Sequence, residues 1–571
     1  MSPKPRPLAL HPKQSSRRSF LTLTALTAAG VPVVAGCRLS RAGSGGGGGV
    51  SGGGGAGSSG AASPAPDGWQ DLDGHLLGHR VSVRVSPLVR VSEEATALVL
   101  ELTRAADDAA VADVQSSESG SDDSDNTVYA STSLGRPLPA RGASGVRLID
   151  TAGAGRVWTA GSASGGTLEL KPGETVSSTV VFTPVDLDEV TVLVPQTGFV
   201  RVRVIDRDAA ADVGVSSEAL GKADKIIQDN SGPGDKAAVV PLERYTRALD
   251  DSTGTRTTDK DVTVTLASDV TFDSDSYNLT AAADAQLQTV ADQIAQYPDG
   301  GNLDIVGHTD DVADNAHNQT LSENRAGTVK DRLGQLAALA KWQITTTGKG
   351  ETEPAINDTT DEARAANRRV VITITPTSGT TAKQPGTTGT ATPSAPPASD
   401  TGLPEAQGPV GTGPDGVTLN GPDTRGGGQI TVTLDHVTRN GGLLLGQLTV
   451  TTGPGGTGNP FLSAWLTDSS VLLANSRGET GGIEAIGASS GLTLLADGQR
   501  VYPADYLPPD IDRHRPLTEQ TLTSALKEGA TTTVCVVWPD TGQDTVTLDH
   551  PGHKNNLSYV FRLTDIPVIT A

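Results

Sequence analysis

GHTDDVADNAHNQTLSENRA, residues 307 to 326, is the stretch from which the rest of the chain can be ordered. Just before it, NLDIVGHTD alternates Leu303 and Ile305 against Asp304, the period of a half-buried strand. Its end runs into TLSENRAGTVKDRLGQLAALA, which spaces Ala326, Val329, Leu333 and Leu336 as one apolar helical stripe. Thr320 with Glu323 three residues on is a capping-box pattern, so the helix is expected to start at Thr320. The polar loop between strand and helix carries His308, His317, Asp310, Asp311 and Asp314, and no proline. Arg325 then falls near the helix start, where a positive charge loses roughly a few tenths of a kcal/mol in the helix field. Its place there calls for a role outside the helix.

The pattern continues on both sides. KDVTVTLASDVTF (260–272) predicts a first strand. LTAAADAQLQTVADQIAQYP sets Leu287, Val290, Ile294 and Tyr297 on one helical stripe, stopped by Pro298. KWQITTTGKG and NRRVVITITP supply two more strands. The order β-α-β-α-β-β predicts an α+β domain over 260–376, with helices on one face of a mixed sheet.

These residues carry a resemblance. GHTD (307–310), Asn318, Leu321-Ser322, Arg325-Ala326, GKGE (348–351) with Pro354, and NRRV (367–370), with their spacing, resemble the OmpA/MotB/Pal-type peptidoglycan-binding domain. The resemblance covers about 115 of 571 residues and implies non-covalent grip on the diamino acid of the peptidoglycan stem peptide. The family's binding aspartate falls on Asp310 and its binding arginine on Arg325. Thr309 and Asn318 are expected to hold the loop or add ligand hydrogen bonds, and Arg369 to flank the site. The loop departs from the family where a glycine is usual, with Val312 and Ala313 near that place, and Asn324 stands where relatives often carry a charge.

The chemistry of the residues agrees. A diamino-acid end is a zwitterion, so it needs a fixed anion and a fixed cation close together. Arginine suits the carboxylate because its planar fork can bind both oxygens. Backbone N–H groups at the helix start would add to the anion site, and Asp311 and Asp314 would favour the amine. Taken alone, Asp310 and Arg325 equally fit a structural ion pair. His308 and His317 match no closed metal site, and no H-E-x-x-H or C-x-x-C occurs, so no metal or other cofactor is expected.

The N-terminus points to export. SSRRSFLTLTALTAAGVPVVAGC (15–37) has a basic region, an apolar run too short for a permanent span, and small residues before Cys37. Arg17-Arg18 resembles a twin-arginine signal, and Val34–Cys37 resembles a lipobox whose cysteine is diacylated. Residues 1–36 are thus read as signal peptide, and 37–66 as a Gly/Ser tether spanning roughly 30 Å. Two lipid chains hold a protein stably on a membrane. A formal charge of −22 and a pI near 4.8 argue against nucleic acid and polybasic membrane contact. Cys535, the only other cysteine, is expected as a buried strand residue.

The flanks read as β. Residues 67–206 alternate in short strands, with an acidic loop at 116–126 read as solvated. Residues 427–571 echo them. LELKPGETVSSTVVFTPV parallels SALKEGATTTVCVVWPD, with a Lys-x-Gly turn before a strand that ends at Pro184 or Pro539. Two related all-β immunoglobulin-like sandwiches are expected, from one duplicated unit. Residues 207–259 are read as a weakly helical linker and 377–426 as a Pro/Gly/Thr-rich linker. The expected protein is a non-enzymatic lipoprotein of the cell envelope. Its lipid would sit in the outer face of the cytoplasmic membrane, facing the wall, and partner proteins could dock on the β domains. An adhesion or assembly scaffold is the main alternative. A wall hydrolase lacks the catalytic constellation it would need.

Overall fold

The computed structural model describes residues 67–108, 128–130, 134, 142–151, 155–229, 237–380, 403–420, 428–453, 466, 489–509, 514–518, 528–551 and 560–570. The export signal, Cys37, the tether, the loop at 116–126 and residues 381–402 lie outside the described residues.

The two β units share one strand order. In the first, Ala95–Arg104 pairs antiparallel with both Leu88–Ser92 and Thr175–Phe182. In the second, Leu443–Thr452 pairs the same way with Val437–Asn440 and Thr531–Pro539. Each unit has a parallel pairing at the equivalent place, Val204–Asp206 on Leu88–Arg90 and Val568–Thr570 on Val437–Arg439. The stretches whose sequences echo one another thus occupy equivalent places in the two sheets. Trp158 and Trp538 anchor the two cores, both fully buried, with indole N–H groups donating to Pro184 O and Leu492 O.

Residues 207–259 correct the expected linker. Among the described residues they carry a short 3-10 turn, Arg207–Ala209, an α-helix, Ser217–Gln228, and three strands, Ala238–Pro241, Arg244–Ala248 and Thr253–Thr257. The α-helix is capped by Ser216 Oγ, which accepts from Ala219 N, and it buries Ala219, Leu220 and Ala223 against Val91, Ala97 and Val181 of the first unit. Ala238–Pro241 adds to the first unit's edge at Arg156–Thr159. Arg244–Ala248 adds to the equivalent edge of the second unit, at Gln499–Val501. It then turns back through Thr253–Thr257 onto Val262–Ala267, the first strand of the α+β domain. The sheet of that domain is therefore continuous with the second β unit.

The spacer before the second unit also ends earlier than expected. Val410–Thr412 and Val417–Asn420 already belong to its sheet. The two β units meet through a joint apolar core of Ile149, Leu193, Leu443, Tyr506 and Val537, where Cys535 is buried. Asn440 Nδ2 donates to Thr191 Oγ1 across that seam.

The α+β domain runs strand 262–267, short helix Ser268–Thr271, helix Ala283–Ala295, strand Gly301–Gly307, long helix Asn315–Leu336, strand Trp342–Gly348, short helix Asp361–Asn367, strand Arg369–Pro376. Gly301–Gly307 is central, parallel to Trp342–Gly348 and antiparallel to Arg369–Pro376. The sheet is mixed, as the β-α-β-α-β-β pattern predicts, with two extra short helices, Ser268–Thr271 after the first strand and Asp361–Asn367 before the last. Leu287, Val290, Ile294, Leu303, Ile305, Ala326, Val329 and Leu333 form the core, and Leu336 packs at its edge.

Two glycines let the long helix sit on the sheet. Gly307 and Gly348 are cross-strand partners. A Cβ on Gly307 would meet Ser322 O at 2.1 Å, and one on Gly348 would meet Glu323 N at 2.5 Å. Only glycine lets the helix backbone come this close to the strand ends.

Candidate functional site

The long helix starts six residues before the expected Thr320. Asp314 is its N-cap, with φ −72° and ψ 153°, and its carboxylate accepts from His317 N at 2.9 Å. Thr320 lies inside the helix and its hydroxyl donates to Ala316 O at 2.9 Å. Arg325 is therefore mid-helix, not near a positive helix end. The expected electrostatic penalty and the anion site at Thr320 both fall away.

What holds Arg325 is its surroundings. It is 4% exposed. Its Nε donates to Ser276 O at 2.8 Å, and the guanidinium lies over the Phe272 ring, 5.1 Å from its centroid. Among the described residues Arg325 forms no ion pair, and its Nη groups make no hydrogen bond. Burial pushes its pKa below the usual arginine value, opposed by the fields of Asp269, Asp275 and Asp310. It stays a cation, since arginine does not deprotonate in proteins.

Asp310 is held by a different cation. Its Oδ2 accepts from Arg368 Nη1 at 2.7 Å, and its Oδ1 accepts from Val312 N at 3.3 Å. Arg368 also forks onto Asp269, with Nε to Oδ1 at 2.7 Å and Nη2 to Oδ2 at 2.6 Å. The Asp269 carboxylate first, and Asp310 with it, raise the Arg368 pKa above its ordinary value. Asp310 and Arg325 are not a structural ion pair.

The loop between them closes on Asn318, which is 2% exposed. Asn318 Nδ2 donates to Asp310 O and Ala313 O at 3.1 Å and to Glu351 Oε2 at 2.7 Å. Thr309 N donates to Gly350 O, and Thr309 Oγ1 to Asp310 O. None of residues 311–313 has a positive φ, so Val312 and Ala313 take the loop without the usual glycine. Asp311 pairs with Arg364 of the short helix Asp361–Asn367 at 2.8 Å.

The two histidines stand apart. His317 Nε2 contacts Asp275 Oδ1 at 2.8 Å. His308 is buried and its pKa is lowered to about 4, by burial first and then by Arg369. Arg369 is itself pushed down to about 10 by burial and donates to Asn367 O and Glu353 O. Arg369 thus sits behind the loop, and the described contacts give it no place beside Arg325.

Phe272, Ser276, Asp269 and Arg368 were not singled out as site residues by sequence reasoning. They lie 49 to 99 positions from the residues they serve, and only NRRV, which contains Arg368, carried a signal.

A family model described as the OmpA family matches residues 271–368. The chain is 31% identical over 110 residues to the putative lipoprotein YfiB of Escherichia coli, across 19% of this chain and 68% of that protein. The chain belongs to the OmpA family. The OmpA match contains Asp310, Asn318, Arg325 and Arg368, and stops before Arg369. The chain is also 38% identical over 106 residues to outer membrane porin F of Pseudomonas fluorescens, across 19% of this chain and 32% of that protein. It thus spans about a third of that relative's length. The structure of the cell wall anchor of the T6SS from Pseudomonas aeruginosa is similar at 30% identity, with a TM-score of 0.19, over 20% of this chain and 82% of that one. The OmpA segment is peptidoglycan-binding-like and lies in a protein homologous to bacterial lipoproteins, and its role is non-enzymatic.

Proposed function

We propose that this protein is an envelope lipoprotein that grips the diamino-acid end of the peptidoglycan stem peptide. Arg325 receives the carboxylate, Asp310 the amine, and a lipid on Cys37 ties the same chain to the membrane after twin-arginine export. One observation carries the reading: a buried guanidinium with no ion-pair partner among the described residues. A buried charge is costly unless compensated, and an incoming carboxylate would compensate it with two parallel hydrogen bonds. Asp310 complements this. Arg368 fixes one of its oxygens, and the other keeps acceptor capacity toward a ligand ammonium. Thr309 and Asn318 act through the loop, and Arg369 supports it from behind.

The two β units are read as immunoglobulin-like sandwiches of common origin, on the strength of their shared strand order. Between them lies a cleft of about 770 Å³ that includes Phe199, Arg201 and Gln447. That cleft favours a second role for these units, docking a partner, beside the wall-binding role.

Sedimentation with purified peptidoglycan tests the main reading. Wild type should pellet, and Asp310→Ala and Arg325→Ala should stay in the supernatant. Equal pelleting of both variants would place the grip elsewhere. Release of soluble muropeptides would point to a hydrolase. Cys37→Ser should move the protein out of the membrane fraction.

A further inference from the structure

A second cluster of side chains lies away from the wall site, where the strand leading to the OmpA domain meets the second β unit. We propose that Glu243, Asp505 and His514 form a binding site for a divalent transition metal of the zinc class. Each offers one ligand atom, and the three atoms lie within 4.8 Å of one another.

The backbone explains why these three meet. Glu243 and Asp505 are partners in an antiparallel bridge, with Glu243 N donating to Asp505 O at 2.7 Å and Asp505 N to Glu243 O at 3.0 Å. Residues opposite each other in such a bridge point to the same face. In the adjoining ladder Asp505 faces Pro516 and Tyr506 faces Arg515. Side chains alternate with period two along a strand. His514 therefore shares the face of Asp505 and Glu243, and Arg515 goes to the face of Tyr506.

The donor set selects the metal. Two carboxylate oxygens and one imidazole nitrogen suit zinc or a neighbouring transition ion, whereas magnesium and calcium prefer all-oxygen shells. Glu243 Oε1 and His514 Nε2 are already 3.0 Å apart, close to an edge of a zinc coordination tetrahedron. Zinc bonds of about 2.0–2.2 Å ask Asp505 for only a small closing movement. Glu243 and Asp505 are 8% and 3% exposed, and the His514 side chain 9%. Arg256 Nη1 approaches Glu243 Oε2 at 3.7 Å, and Oε1 is the oxygen that faces His514. A metal here would pin the start of the Arg244–Ala248 strand to the second β unit.

The full chain, stripped with EDTA, freed of chelator, reloaded with zinc and dialysed, should retain one equivalent of zinc by elemental analysis, and titration calorimetry of the stripped chain should give the same stoichiometry. Glu243→Gln, nearly isosteric, and His514→Ala should each weaken zinc binding at least tenfold. His436→Ala should leave it unchanged. Zinc should raise the thermal midpoint of wild type and not of Glu243→Gln. Failure to retain zinc would mean that Glu243 and His514 form an ion pair only, and would overturn the site. Unchanged retention in both variants would place the zinc elsewhere and overturn it too. Displacement of zinc by tenfold excess calcium or magnesium would overturn the metal class.

Discussion

Arg368 Nη1 lies 2.7 Å from Asp310 Oδ2 while the rest of the same guanidinium grips Asp269. Arg368 therefore aims the carboxylate on which amine binding is proposed to depend. Arg368→Ala should weaken peptidoglycan pelleting about tenfold or more, since it frees Asp310 and leaves two carboxylates unpaired. Asp269→Asn should have a smaller effect, because the contact with Asp310 survives. Titration of purified sacculi against each variant measures both.

Arg325 also separates charge from shape. Lysine keeps the charge but not the fork or the flat face over Phe272. Arg325→Lys should lose at least tenfold in wall affinity, corresponding to about 1.4 kcal/mol. Binding that survives undiminished in Arg325→Lys would show that a point charge suffices.

His308 makes the OmpA segment sensitive to acid. Its folded pKa is about 4, against 6.5 unperturbed, so the unfolded chain binds more protons between those values. Its contribution is complete above pH 6.5 and is lost as pH falls toward 4, up to roughly 3 kcal/mol. Denaturant unfolding at several pH values should show this slope, and His308→Leu should flatten it.

The glycine pair under the long helix gives a stability test. Gly307→Ala and Gly348→Ala each place a methyl against helix backbone. Each should cost about 1–3 kcal/mol by overpacking. Gly327→Ala, at a helix position with open space around it, should be neutral or stabilising by up to about 1 kcal/mol. Chemical denaturation separates the three.

The core of the OmpA segment was legible because Leu303, Ile305, Val329 and Leu333 repeat at the periods their elements require. The helix start was misplaced because Thr320 and Glu323 imitate a cap, while the working cap is Asp314, with its hydrogen bond to His317 N. The strands Arg244–Ala248 and Thr253–Thr257 escaped because RYTRA and TGTRT lack apolar alternation, and all ten residues are only partly buried. They are strands because neighbouring strands accept them, which local sequence cannot report. Asp310 and Arg325 were found through motif resemblance, and Phe272, Ser276 and Asp269 needed the fold to bring them close.

The splice at Arg244–Ala248 has a mechanical side. A pull on the OmpA segment would reach the second β unit through the ladder to Gln499–Val501, with no slack chain between them. Separating the two would require breaking backbone hydrogen bonds along a shared sheet. Load taken at the wall would thus arrive at the β units almost undamped, and a partner bound there would feel it.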